Sequence, residues 1–350
     1  MGTRSMLSRV ALACLFCFWL SAQQPQTAPA KPPALDRQPS RFRAQVTEVI
    51  VPVTVTDDKD RFVSNLEQSD FRIFDEEQEQ KIIYFSREQK QPVVVGFLLD
   101  LSNSSRLHWA KFQEAAKELV WMLLPGDPRF SGYLITYGNE AELAVDTTTD
   151  ADKITQKIEK LKPGGGSAFF DAIYMACTRR SLVHGEPIEP RRILVVIGDG
   201  HDSASKHNLE EALEIAQRNL VTIHGASTVA FGFSSEGEQN LKRLCEETGG
   251  RLEYPLGETR LYKDVAGHLS NPSDEGNYAY KVGTGAYAAA ISKAIYGSIA
   301  AISGEITTQY ILRYIPNVTD TGNQYRHIRV EVSLPNVTVR ARKGYYPYSP

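Results

Sequence analysis

Residues 100–104 read Asp-Leu-Ser-Asn-Ser, directly after the apolar run Val93–Leu99. A carboxylate and two hydroxyls therefore leave the tip of a hydrophobic strand at alternate positions. Two other stretches end in the same way. Ser167 follows three glycines in KPGGGSAFFDAI, and Asp199, with Asp202 close behind, lies at the end of ILVVIGDGHDS. Two carboxylates and three hydroxyls from three loops form an oxygen set suited to a hard divalent cation. Mg²⁺ takes six oxygens at about 2.0–2.1 Å and keeps several waters, and ligand type alone does not choose between it and Mn²⁺ or Ca²⁺. Hydroxyls are neutral, so a cation held by Asp100, Ser102, Ser104, Ser167 and Asp199 keeps much of its charge. It can then accept a carboxylate from another molecule. Each residue also has a plainer role. Ser102, Ser104 or Ser105 can cap the next helix, Ser167 can cap the helix beginning near Ala168, and Asp199-Gly200 can be an ordinary turn. Taken together, these plainer roles predict no particular strand order. A shared cation requires D-x-S-x-S on the first core strand and D-G on the strand after the Gly-Gly-Gly-Ser helix, and this chain has that order.

The elements that must carry these loops follow from hydrophobic periodicity. Residues 42–56 alternate as a half-buried strand, 57–60 form a turn, and 71–85 read as a hairpin of two more strands. From VVVGFLLD onward, strands alternate with helices: KFQEAAKELVWMLL, FSGYLITYG and AELAVDTTT, DADKITQKIEKLK, SAFFDAIYMACTRRSLV, RRILVVIGDG, NLEEALEIAQRNL, ASTVAFGF, EQNLKRLCEET and GGRLEYP. That alternation predicts an α/β, doubly wound, mostly parallel sheet covered on both faces, spanning 92–304 and closing with a helix over 286–303. Ligands of such sheets bind beyond the carboxyl ends of the strands, where strand order reverses. The chain then returns to alternating strands in TTQYILRYIP, YRHIRVEVSLP and VTVRARKGYYPY. Neither β segment is large enough to stand alone, so 41–90 and 305–349 are expected to form one β-sandwich with the α/β domain inserted between them. Residues 262–285 fit neither pattern and read as a loop excursion.

The D-x-S-x-S at 100–104, the glycine-preceded Ser167 and the D-G at 199–200 resemble the metal-ion-dependent adhesion site of von Willebrand factor type A domains. The resemblance implies that Ser102, Ser104 and Ser167 coordinate the cation directly and that Asp100 and Asp199 act largely through water. Ser167 stands where that family usually has Thr, and Asn103 where it most often has Gly. The flanks Ser69-Asp70-Phe71-Arg72-Ile73-Phe74-Asp75-Glu76 and Arg342-Lys343-Gly344-Tyr345-Tyr346 resemble a narrower group, the secreted type A-related proteins of acidobacteria. The resemblance covers roughly 42–348, apart from 262–285.

The N-terminus reads as an export signal. Arg4 and Arg9 precede the apolar Val10–Leu20, and Ser21-Ala22 offers a small-residue cleavage site over 1–22. The apolar stretch falls short of the ~20 residues needed to span a bilayer, and no later segment is long and apolar enough. Residues 23–40, rich in Pro, Ala and Gln, form an extended linker. The expected protein is exported, periplasmic or released. Once the signal leaves, Cys177 and Cys245 remain, and separate buried thiols are expected. At 350 residues, 42% hydrophobic, 23% charged and with a net charge of −3, the chain gives no electrostatic reason to expect nucleic acid. Gly283-Thr284-Gly285-Ala286-Tyr287-Ala288 matches G-x-G-x-x-A, with Glu305 about 20 residues on, but it lies at the end of the α/β block and not in its first βα turn. No G-x-S-x-G or H-E-x-x-H occurs. The expected function is a non-enzymatic binding module that engages a partner's Asp or Glu through Mg²⁺, Mn²⁺ or Ca²⁺. The rivals are a Mg²⁺-dependent hydrolase in the same pocket, with His201 as its sole candidate base, and a scaffold with a vestigial metal site.

Overall fold

A computed structural model describes residues 48–87, 91–106, 108–183, 190–229, 236–256, 284–317 and 324–347. All of them fall in one compact unit, 43–350. The expected signal segment 1–22, the linker 23–40 and nearly all of the 262–285 excursion lie outside these residues.

The site's platform is a six-stranded sheet of β5 (Val93–Asp100), β6 (Phe130–Tyr137), β7 (Ala141–Thr148), β8 (Arg191–Gly198), β9 (Thr222–Ser227) and β10 (Leu252–Glu253). They lie in the order β10-β9-β8-β5-β6-β7. Every pairing is parallel except β6 with the edge strand β7. All eight residues of β5 and of β8 are buried, which is why both read as continuous apolar runs and not as alternating ones. Helices α1 (Trp109–Leu123), α2 (Ala151–Ile158) and α6 (Thr284–Thr308) cover one face of the sheet, burying Val93, Val95, Phe97 and Leu99. Helices α3 (Phe169–Thr178), α4 (Leu209–Arg218) and α5 (Glu236–Thr248) cover the other, over Val94 and Leu98. Cys177 and Cys245 are free, buried thiols in that second core, and burial pushes the Cys177 thiol up to about 12.

Strand β9 corrects the sequence reading, which set it at 226–233. The strand is Thr222–Ser227, which starts four residues earlier and shares only Ala226 and Ser227 with that span, whose residues 230–233 lie outside the described ones. His224 and Gly225 interrupt the apolar pattern, but the His224 imidazole is fully buried and accepts a hydrogen bond from the Arg251 backbone N–H at 3.1 Å. Burial holds it neutral, with its pKa lowered to about 4. Helix α6 begins at Thr284, two residues earlier than expected, which places the G-x-G-x-x-A residues from 284 on a helix. Glu305 is buried and ion-paired with Arg340 at 3.0 Å, away from any ribose role.

The strands on either side of this α/β body pair with one another. Strand β1 (Val49–Thr56) lies between β11 (Tyr310–Tyr314) and β13 (Thr338–Ala341), with β4 (Ile82–Ser86) beyond β11. A second sheet holds β14 (Gly344–Tyr345), β12 (Arg326–Val332), β2 (Phe71–Asp75) and β3 (Gln78–Gln80). The two sheets share a core containing Val51, Val53, Phe71, Ile73, Leu312, Tyr314 and Tyr345. Two expectations change here. The segment 71–85 makes three strands and not two: a tight turn with Glu76 and Glu77 at φ 49° and 62° joins β2 to β3, and the chain then crosses at Lys81 into the other sheet. Strand β1 is nearly fully buried and not half-buried, because its Thr54 and Thr56 face is covered too. The Gln309 amide donates to the Thr54 hydroxyl at 3.3 Å.

Asp75 explains two polar motifs of the flanks. It is fully buried, and it accepts hydrogen bonds from the hydroxyls of Tyr314 and Tyr345, each at 2.9 Å, and from Arg326 Nε at 2.9 Å. The flanks also grip the α/β body. Arg251 pairs with Asp60 and Glu253, the Lys343 N–H donates to the Glu247 carbonyl at 3.1 Å, and Arg342 Nη2 donates to the Leu220 carbonyl at 2.9 Å. Gly249, at φ +81°, lies so close to the Arg342 backbone that any side chain there would collide with it.

Candidate metal centre

Strand order reverses at β5. The chain goes first to β6 and β7 on one side, then returns to β8, β9 and β10 on the other. The polar tips at 100–104 and 199 sit at the carboxyl ends of the two strands that flank this switch point.

Asp100, the last residue of β5, is 1% exposed. Its Oδ1 accepts the Ser102 N–H at 2.7 Å, closing a tight turn that sends Ser102 and Ser104 back over the strand tip. The Ser102 and Ser104 hydroxyls lie 2.7 Å apart. Adjacent ligands of an octahedral Mg²⁺ are about 3.0 Å apart, given ligand distances near 2.1 Å. The hydroxyl pair is thus close to the spacing of two neighbouring coordination positions. Asp100 Oδ2 is buried with no hydrogen-bond partner. Burial, with the Asp199 carboxylate nearby, pushes the Asp100 carboxyl up to about 6. An orphaned, buried anionic oxygen beside a second carboxylate and two hydroxyls is a donor set that a hard cation fits.

Ser167 is 1% exposed, and its hydroxyl donates to the His201 carbonyl at 2.7 Å, which leaves the lone pairs of its oxygen open. Asp199 Oδ1 accepts the His201 N–H at 2.9 Å, so this carboxylate does form the expected turn. Gly200, at φ +73°, is required there, since a side chain would run into the Gly237 carbonyl at the start of α5. Among the described residues, these serines form no cap at the start of α1 or α3. Helix α1 starts after His108 and α3 after Ala168, and neither has a side-chain cap at that position. Asp202 takes the capping task instead. Its Oδ2 accepts the Phe170 N–H at 3.0 Å at the head of α3, so this carboxylate is committed to the helix.

Three residues around the site carry no motif. The Tyr137 hydroxyl is buried without a partner, and a side chain at Gly198 would lie 2.9 Å from Asp100 Cβ and collide with that hydroxyl. Asn139 and Ser203 hold the loop that carries Ser167. In sequence, Asn139 looks like any turn residue of Gly138-Asn139-Glu140, and Ser203 like a solvated loop serine; only the fold brings them to Ser167. Among the described residues, no group of three His, Cys, Asp or Glu side chains could hold a metal ion. The candidate set depends on hydroxyls.

No curated protein matches the chain. Among solved structures, an aerotolerance-related membrane protein from Bacteroides fragilis is 21% identical, covering 46% of this chain and 90% of that one, with a TM-score of 0.37. BatB from Bacteroides thetaiotaomicron is 18% identical over 54% of this chain and 99% of that one, with a TM-score of 0.37. The vWF domain of the type V pili tip protein Mfa5 from Porphyromonas gingivalis is 22% identical, covers 32% of this chain and 39% of that one, and has a TM-score of 0.28. Residues 95–264 match the family model described as von Willebrand factor type A domain. Together with the five parallel strands, the single antiparallel edge and the helices on both faces, that match identifies a von Willebrand factor type A domain within this chain, at residues 95–264.

Proposed function

We propose that the protein is an exported binding module whose type A domain engages a protein partner through a divalent cation. The observation that carries this reading is the orphaned Asp100 Oδ2 at the switch point, beside Asp199 and the paired hydroxyls of Ser102 and Ser104. Ser102, Ser104 and Ser167 would hold the cation through hydroxyl oxygens, and Asp100 and Asp199 would balance its charge. Bound there, Mg²⁺ or Mn²⁺ supplies a Lewis-acidic position for a carboxylate of the partner. The chain's own residues do the rest: Gly198 leaves room for Asp100, and the Ser102 N–H holds that carboxylate in place. His201, the one candidate base, is exposed, and its backbone N–H and carbonyl shape the loop. In the same reading, the two flanking sheets form a β-sandwich that carries the type A domain as an insertion, in the manner of the secreted acidobacterial type. Among the described residues, no helix is long and apolar enough to cross a membrane.

Calorimetric titration of Mg²⁺ and Mn²⁺ into the metal-free full chain, beside Asp100→Ala, tests the metal step. One saturable site that the substitution removes is the expected result. Absence of binding in the wild type, or equal binding in the variant, would overturn the reading and leave a metal-free scaffold.

A further inference from the structure

Ser167 has a weakness that its surroundings address. A serine side chain has a single heavy atom beyond Cβ, so χ1 is free to visit three wells, whereas a β-branched residue is held stiff. An oxygen that wanders between rotamers is a poor ligand, because it must be ordered each time it binds.

The loop around Ser167 is tied down on both sides. Asn139 Oδ1 accepts the Gly166 N–H at 2.7 Å, and the Gly138 carbonyl accepts the Ala168 N–H at 2.8 Å. The Ser167 N–H donates to Ser203 Oγ at 3.1 Å, while the Ser167 carbonyl accepts the N–H groups of Ser203 and Ala204 at 2.9 and 3.0 Å. The Ser167 hydroxyl donates to the His201 carbonyl at 2.7 Å. Gly165 makes the approach of Asn139 possible. It sits at φ +102°, and a side chain there would lie 2.8 Å from Asn139 Oδ1. The same loop is stitched to the first metal-facing turn, since the Asn103 N–H donates to the Gly165 carbonyl at 3.1 Å.

We propose that Asn139 and Ser203 are positioning residues of the cation site: they hold the backbone that carries the Ser167 oxygen and so add to its single hydrogen bond to the His201 carbonyl, because serine lacks the β-branching that stiffens χ1. Asn139 acts from the β6–β7 turn and Ser203 from the loop after β8, so the two grips come from opposite sides of the switch point. The proposal rests on the metal-binding reading above.

The test is Mg²⁺ titration of the full chain in six forms: wild type, Asp100→Ala, Asn139→Ala, Ser203→Ala, Ser167→Thr, and Asn139→Ala combined with Ser167→Thr. Hydrogen exchange at the Gly166 amide is followed in parallel. Asn139→Ala and Ser203→Ala should each weaken Mg²⁺ about 10-fold, at the low end of what outer hydrogen-bond partners contribute to metal affinity. The Gly166 amide should exchange faster in Asn139→Ala. Threonine at 167 should recover most of the affinity in the Asn139→Ala background by supplying internal stiffness. A role confined to loop stability would not be rescued this way. Wild-type affinity in both single variants, with Asp100→Ala silent, would overturn the positioning roles and leave the metal site standing. Loss in Asn139→Ala that threonine leaves uncorrected, although Ser167→Thr alone binds like wild type, would also overturn them. Undiminished binding in Asp100→Ala would remove the metal reading and this proposal with it.

Discussion

Asp100→Asn should make the metal-free protein more stable while making it worse at holding a cation. The Asp100 carboxyl is buried, faces Asp199, and is raised from 3.8 to about 6. An acid whose folded pKa lies above its unfolded value contributes stability at low pH and loses it as pH rises through the folded value. Here the loss runs between about pH 4 and pH 6. At 1.36 kcal/mol for each pH unit, ionising Asp100 in the folded chain costs about 3 kcal/mol by pH 7.5. Asparagine avoids that cost. Its carbonyl can still accept the Ser102 N–H, and its amide places a donor where Oδ2 now has no partner. For a domain of this size, about 3 kcal/mol corresponds to a rise of roughly 6–12 °C in Tm. The assay is thermal and urea unfolding of both proteins in chelator at pH 7.5 and at pH 4, then at pH 7.5 with Mg²⁺. The gain should be large at pH 7.5, mostly gone at pH 4, and reduced or reversed when Mg²⁺ stabilises only the wild type. An Asn variant no more stable than wild type at pH 7.5, or equally stabilised at both pH values, would refute the electrostatic reasoning.

His224 should act in the opposite sense. Its folded pKa of about 4 lies below the usual 6.5, so its contribution is intact above pH 6.5 and lost as pH falls toward 4, by about 3 kcal/mol. His224→Gln should therefore resist acid unfolding better than wild type, as read from urea midpoints at pH 7 and pH 4.5. Asp100 and His224 thus pull in opposite directions over nearly the same interval, so the single variants are what separate the two groups. Asp75→Ala strands Arg326 and two buried hydroxyls and should cost about 3–5 kcal/mol, whereas Tyr345→Phe removes one bond to a buried carboxylate and should cost about 1.5–3 kcal/mol, both by urea unfolding. Gly165→Ala imposes a side chain at φ +102° against Asn139 and should weaken Mg²⁺ binding in calorimetry by at least as much as Asn139→Ala.

The α/β pattern was legible because its signals are local. Val93–Leu99 and Ile193–Ile197 are apolar on both faces, as central parallel strands must be, and the amphipathic helices between them fix the doubly wound order. The start of strand β9 was missed because one buried imidazole satisfied by a distant backbone N–H looks, in sequence, like a solvated residue. The crossing of β4 away from β2 and β3 into the sheet of β1 and β11 was hidden because period-2 alternation says which residues share a face and nothing about which neighbour the strand chooses. Around the candidate site, Asp100, Ser102, Ser104, Ser167 and Asp199 stood out by position at strand tips. Asn139, Ser203 and Tyr137 did not, because their role comes from loops brought together across the switch point and from the space at Gly198.

The route of the chain through the α/β body has a mechanical consequence. The backbone enters at Val93, and it leaves past Gln309, which contacts Arg191, the residue paired with Val93 across the sheet. Entry and exit therefore lie together at the end opposite the loop at 100–104. A tensile load applied at that loop and resisted at the flanking sheets runs along the axis of β5. That strand is bonded to β6 from Val93 to Asp100 on one side and to β8 from Val93 to Leu99 on the other. Pulled lengthwise, both ladders are strained in shear and must yield together, whereas a strand peeled from one end gives up its bonds one at a time. The same geometry that sets the polar tip of β5 at the switch point thus makes that strand resist such a load by shear on both sides.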